Sequence, residues 1–253
     1  MNTTGRDTKK AAMKFSFNKA DMKKYSIFVE RNTSCTMLKG PVKYIIFDFD
    51  GTLADSVDAA LHIYNRVAPE YNCKPIIGEA RNLLSAKNPT RYFKEYGVTP
   101  FKLFLLIFRV RKELGKHMEE IPLIEGIENS LRKLQEAGFR LGILTSNSKK
   151  NVGKFLQHNQ LSDVFSFVYS GRHLFGKDKV IGKIIRKERL NEGSIVYVGD
   201  ETRDVLAMKK IHVPVVAVSW GLSPASKLAT LHPSQLIHHP DELTPTLISS
   251  LGS

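Results

Sequence analysis

Asp48 and Asp50 stand two residues apart in YIIFDFDGTLADS, residues 44–56, where an apolar run gives way to Gly51-Thr52. Carboxylates this close repel, and the arrangement is costly unless a cation sits between them. Three further polar clusters each follow another apolar run. LGILTSN ends in Thr145-Ser146-Asn147, SFVYSGRHLFGKDK delivers Lys177, and SIVYVGDETRD ends in Asp200 with Asp204 four residues on. Brought together, Asp48, Asp50 and Asp200 would crowd three carboxylates into one place. An all-oxygen donor set of that charge calls for a hard divalent cation, Mg²⁺ above all, with a phosphate beside it.

The elements that must position these residues are legible. YIIFD, RLGILTS, SFVYSG, SIVYVGD and VPVVAVSW are short, apolar, β-branched runs of the kind buried parallel strands show. Between them lie helical patterns. One carries Ile127, Leu131 and Leu134 on a single face and stops at Gly138; another starts at Ser148 and carries Val152, Phe155 and Leu156. KVIGKIIRK and DVLAMKK supply two more. This alternation predicts an α/β fold with a doubly wound parallel sheet, and ligands bind such sheets outside the carboxyl ends of the strands. The four clusters can therefore meet in one crevice. Residues 57–122 break the rhythm with helical patterning and no clear strand, so a helical insertion is expected there, within a core of residues 41–56 and 123–253. Residues 1–40 show no sustained apolar period and read as a basic, partly disordered extension.

Composition narrows the function classes. The 253 residues are 42% hydrophobic and 25% charged, ordinary for a globular chain with a real core. The longest apolar candidate, FKLFLLIFRV, is interrupted by charge and falls well short of the roughly 18–20 residues a membrane helix needs. MNTTGRDTKKAAMKF lacks the apolar stretch of a secretory signal, and Cys35 and Cys73 are the only cysteines. A disulfide framework is thus not credible, and a cytoplasmic location is expected. The formal charge of +13 raises either steering of anions or nucleic-acid binding. With no aromatic RNA-binding cluster and no zinc-finger spacing, steering of small phosphorylated anions is the preferred reading.

The ordered series DxDGT, a strand ending in T/S-N, a lysine, and GDxxxD resembles the haloacid dehalogenase-type phosphohydrolase superfamily over residues 44–222. The insertion resembles the C1-type cap of its phosphoglycolate phosphatase-like branch, and VSWGLSPASKL with the terminal HHPDEL resembles that branch too. The resemblance implies a Mg²⁺-dependent phosphatase acting through an aspartyl-phosphate. Asp48 would be the nucleophile, Asp50 the general acid and base, Thr145 a hydroxyl donor to phosphate, and Lys177 its cationic partner. Backbone N–H groups near Phe49, Gly51 and Asn147, with Ser146 and Asn147 themselves, would hold the phosphoryl group. Asp48, the Asp50 main-chain carbonyl and Asp200 would hold the metal, with Asp204 orienting its shell. Arg81 is a candidate to meet the substrate from the cap, with Lys87 beside it. A small phosphorylated metabolite, phosphoglycolate first, is the implied substrate of a monomer or homodimer.

Plainer readings stand beside these. Paired aspartates at a Gly-Thr turn also serve turn chemistry and capping, and Asp204 suits the first turn of a helix. Glu201 is expected to be exposed, with contact to the metal's water shell as the alternative. Lys183 competes with Lys177 but falls inside a helical pattern. GRHLFGKD matches a phosphate-binding loop except that Asp178 stands where Ser or Thr must ligate Mg²⁺. The histidines, His238-His239 included, lack metal-ligand spacing. A dehalogenase would not need Asp50. The enzyme rival is a β-phosphoglucomutase-like sugar phosphomutase, although such mutases usually carry Glu-Asp where this chain has Gly199-Asp200. The non-enzymatic rival is a basic nucleic-acid-binding protein on the same fold.

Overall fold

The structure is a computed structural model that describes residues 44–77, 94–170, 176–187, 190 and 194–249. The extension expected over residues 1–40, the segment holding Arg81 and Lys87, and most of TRYFKEY lie outside these residues.

The described residues form a parallel sheet of six strands: β1 (Tyr44–Phe47), β2 (Arg140–Thr145), β3 (Phe165–Ser170), β4 (Ile195–Gly199), β5 (Val215–Val218) and β6 (Gln235–Ile237). Their spatial order is β3-β2-β1-β4-β5-β6, and every neighbouring pair is parallel. The order reverses between β1 and β4, so the crevice of the doubly wound sheet opens where these two strands end. That is where Asp48 and Asp200 emerge. The sixth strand is an addition to the five legible ones; its three residues are too few to show a period.

The strands read as continuous apolar runs because both faces are covered. Ile45, Phe47, Val196 and Val198 point into one core, whereas Tyr44, Ile46, Ile195 and Tyr197 point into the other, with the two-residue alternation that a pleated strand imposes. The first core is closed by α3 (Ile127–Glu136), α4 (Lys149–His158) and α8 (Leu243–Ser249). The second is closed by α5 (Lys177–Lys187), α6 (Thr202–Lys209) and α7 (Ala225–Ala229). Local signals set the helix ends. The Ser148 side chain accepts a hydrogen bond from the Asn151 N–H at 3.1 Å, capping α4, and Gly138 leaves α3 at φ +87°.

Between β1 and α3 the chain makes α1 (Ser56–Val67), a 3₁₀ turn (Ala68–Tyr71) and α2 (Pro100–Leu114), with α1 packed on α2. Thr99 caps α2, accepting from the Lys102 N–H, and Pro100 opens it. The two ends of this excursion run side by side. The Asp55 N–H donates to the Pro122 carbonyl and the Ile124 N–H to the Leu53 carbonyl, both at 2.9 Å. Among the described residues no helix is long and apolar enough to cross a membrane.

Candidate active site

The end of β1 delivers both aspartates, but their side chains meet different partners. Asp48 is buried; its Oδ1 accepts from the Phe49 N–H at 2.8 Å and its Oδ2 lies 2.6 Å from Lys177 Nζ. Asp50, partly buried, accepts from Asn147 Nδ2, which lies 3.3 Å from both of its carboxylate oxygens, and is also bonded by Ser56. The turn after them requires a glycine. Gly51 has φ +78°, and a Cβ there would stand 2.5 Å from Asp200 Oδ2.

Asp200 leaves β4 fully buried, with the Thr52 hydroxyl donating to Oδ1 and the Leu222 N–H to Oδ2, each at 2.7 Å. Asp204 stands in the first turn of α6, also buried, with Oδ1 2.7 Å from Lys177 Nζ. Carboxylate oxygens of Asp48, Asp200 and Asp204 all lie within 4.8 Å of one another. The Lys177 ammonium also donates to the Tyr197 hydroxyl at 2.8 Å. Lys177 is the first residue of α5, and Lys183, one and a half turns on, is exposed.

The electrostatics follow from this crowding. Burial, and then the charge of Asp48, pushes Asp50 up to about 6, against the opposing pull of Ser56, Arg111 and Asn147. Burial, then Asp48 and Glu201, pushes Asp200 up to about 7. For Lys177 burial works against the charge, but Asp204 and Asp48 outweigh it and hold the ammonium well above its ordinary range. An all-oxygen cluster in which protons are held this firmly is one that a divalent cation fits, since a cation can replace the protons.

The end of β2 faces the same crevice. Thr145 is buried, and its hydroxyl accepts from the Asn147 N–H at 2.9 Å. Ser170 donates to the Asn147 carbonyl at 2.6 Å and Asn151 to its Oδ1 at 2.9 Å, so Asn147 is fixed on three sides. Ser146 accepts from Arg111 Nη2 at 2.9 Å. The Gly51 N–H, expected to face a phosphoryl oxygen, donates instead to the Ala54 carbonyl at 2.9 Å as part of its own turn.

The fold thus gathers Asp48, Asp50, Thr145, Ser146, Asn147, Lys177, Asp200 and Asp204. Arg81 and Lys87 lie outside the described residues. Glu201, expected to be exposed, is largely buried and ion-paired with Arg203, because the turn out of β4 folds both side chains back toward the acid cluster. Several contributors were not legible in the sequence. Tyr197 looks like strand filler until its hydroxyl is found on Lys177, and Thr52 reads in the sequence only as part of a turn. Arg111 sits on a helix whose pattern identifies its apolar face alone.

The chain belongs to the haloacid dehalogenase-like hydrolases: the model of that family matches residues 45–218. It is an enzyme of the phosphohydrolase kind within them. It is 34% identical over 199 residues to the phosphoglycolate phosphatase of Synechococcus elongatus, covering 79% of this chain and 94% of that protein. It is 24% identical over 206 residues to the pyrophosphatase PpaX of Bacillus velezensis, covering 80% of this chain and 94% of that one. Among solved structures it is similar in fold to a chain described as a predicted phosphatase from Clostridium acetobutylicum, with a TM-score of 0.70 at 22% identity over 83% of this chain and all of that one.

Proposed function

We propose that this protein is a Mg²⁺-dependent phosphatase that hydrolyses a small phosphate monoester, phosphoglycolate-like in size and charge, through an aspartyl-phosphate. The observation that carries the reading is the division of labour between Asp48 and Asp50. Asp48 is held by Lys177 and the Phe49 N–H, leaving a fixed carboxylate whose oxygen attacks phosphorus. Among the described residues Asp50 has no cationic hydrogen-bond partner, and it is held at about 6, so near neutral pH it can lend a proton to the leaving oxygen. In the second step its deprotonated form takes a proton from the water that attacks the aspartyl-phosphate. Ser146 and Asn147 at the end of β2 bind substrate. Thr145 donates its hydroxyl to a phosphoryl oxygen, and Lys177 restrains Asp48 while offsetting phosphoryl charge.

Asp48, the Asp50 main-chain carbonyl and Asp200 would hold the cation, with Asp204 anchoring Lys177 beside it. When bound, the cation supplies the positive charge that lets an anionic carboxylate approach an anionic ester. The helices α1 and α2 act as a cap over the crevice, and they select the substrate.

The test is turnover of p-nitrophenyl phosphate and a panel of phosphate esters by the purified protein with Mg²⁺. Activity is expected to require the metal and to vanish in Asp48→Asn, because an amide cannot serve as this nucleophile. Robust turnover by that variant, or undiminished activity in excess EDTA, sinks the mechanism.

A further inference from the structure

Arg109 and Arg111 lie two residues apart on α2 and therefore about 200° apart around it. Arg109 is neutralised on its own side by Glu113 and Glu70. Arg111 faces the other way, into the crevice, where Nη2 donates to Ser146 Oγ at 2.9 Å. Ser146 is its hydrogen-bond partner, and among the described residues no carboxylate forms an ion pair with it. A half-buried guanidinium with five donors and one neutral acceptor is under-used.

Its surroundings are more specific still. Among the acidic groups that act on Arg111, Asp50 does so most strongly, ahead of Glu201 and Asp48, whereas Arg203 repels it. Arg203 is already ion-paired with Glu201, so Arg111, whose fork meets only the neutral Ser146 hydroxyl among the described residues, is the guanidinium that an incoming anion would complete. The position of that anion follows from the roles of the residues around it. Asp50 gives its proton to the leaving oxygen, so whatever that oxygen carries projects to the Asp50 side. Arg111 is bonded to Ser146, next to the Asn147 that holds Asp50.

We propose that Arg111 is a specificity-determining residue that binds a second anionic group of the substrate, a carboxylate or a second phosphoryl group attached close to the leaving oxygen. The proposal rests on the phosphatase reading and extends it. It makes the preferred substrates phosphoryl compounds with two anionic ends, and it places the selecting charge on the last helix before α3. The planar fork of Arg111 can keep its bond to Ser146 and offer a second N–H pair to the incoming group.

The test compares wild type, Arg111→Met and Arg111→Lys on 2-phosphoglycolate, inorganic pyrophosphate and p-nitrophenyl phosphate, all with Mg²⁺. The readout is the ratio of kcat/KM on each doubly anionic substrate to that on the aryl ester. Loss of a charge-assisted contact predicts that Arg111→Met lowers the ratio roughly 10- to 100-fold for at least one of the two. Arg111→Lys, which keeps the charge without the fork, should recover part of it and stands in if the methionine variant does not fold. The substrate whose ratio falls tells carboxylate from phosphoryl. Ratios that stay within about threefold on both arms overturn the proposal and leave Arg111 as a tether between α2 and Ser146.

Calorimetric titration of 2-phosphoglycolate and pyrophosphate into Asp48→Asn and Asp48→Asn/Arg111→Met separates this inference from the reading beneath it. If wild type hydrolyses none of the esters yet affinity for one of these anions drops at least about tenfold without Arg111, the phosphatase reading fails and the anion site stands. Binding indifferent to Arg111 in that case removes both.

Discussion

Lys177 Nζ lies 2.6 Å from Asp48 Oδ2, although the two residues are 129 positions apart in the chain. The same ammonium stands 2.7 Å from Asp204 Oδ1 and 2.8 Å from the Tyr197 hydroxyl, so one buried cation ties β1, β4 and α6 together. Removing it leaves buried carboxylates without their counter-charge. Breaking a buried pair from one side typically costs about 3–5 kcal/mol, because the stranded charge remains. Lys177→Met should therefore lower stability by that order in urea titration and reduce turnover at least about 100-fold. Adding Asp204→Asn to Lys177→Met should restore part of the stability but none of the activity. Full stability in the single variant would show that Lys177 does not hold this cluster.

Gly51 tests the packing around Asp200. With φ +78° and a Cβ position 2.5 Å from Asp200 Oδ2, alanine there must strain the turn or displace the carboxylate. Left-handed strain at a non-glycine residue costs about 1–3 kcal/mol. Gly51→Ala should lose stability of that order and need a higher Mg²⁺ concentration for half-maximal activity. An unchanged Mg²⁺ requirement would mean that Asp200 is not a ligand of the cation.

The sheet was legible because strands covered on both faces read as uninterrupted apolar runs. Asp48, Asp50 and Asp200 are legible candidates because their runs lead directly into them, whereas Lys177 stands seven residues beyond the end of β3. Arg111 was not legible: a helical period says which side of α2 is buried but not what its polar side meets, and only the packing of α2 over the end of β2 brings Arg111 to Ser146. Glu201 was misjudged for a similar cause. A charged residue after a strand is ordinarily solvated, but here Arg203 turns back with it. The three residues of β6 carry too little pattern to outweigh their neighbours.

The acid cluster gives stability a defined pH dependence. Asp200 and Asp50 are held at about 7 and about 6 against an ordinary 3.8. Between those values the folded protein binds more protons than the unfolded chain, so stability falls as pH rises from about 4 to about 7. A cation that binds the deprotonated cluster acts the other way and stabilises only the folded state. In EDTA, Tm should therefore fall between about pH 5 and about pH 7.5, with a smaller fall in Asp200→Asn. Added Mg²⁺ should raise Tm more at the higher pH. A Mg²⁺ shift that is equal at both would place the cation elsewhere.

The last prediction separates a hydrolase from a phosphomutase. Such mutases usually carry glutamate where this chain has Gly199, and here a Cβ at position 199 would stand 2.6 Å from Asp204 Oδ2 and 2.9 Å from Tyr197 Cε1. A larger side chain there would push against the residues that hold Lys177, so this chain is built around the glycine. Both readings use Asp50 to protonate the leaving oxygen. Asp50→Asn should accordingly slow transfer from a poor alkoxide leaving group more than from a good aryloxide, which needs little proton assistance. The readings part at the second step. A phosphatase admits water to the aspartyl-phosphate, whereas a mutase must exclude it and return the phosphoryl group to a sugar. Wild-type enzyme given a β-hexose 1-phosphate should release inorganic phosphate slowly or leave the sugar untouched. Efficient formation of hexose 6-phosphate, stimulated by a bisphosphate primer, would overturn the phosphatase reading while leaving the sheet and its acid cluster as described.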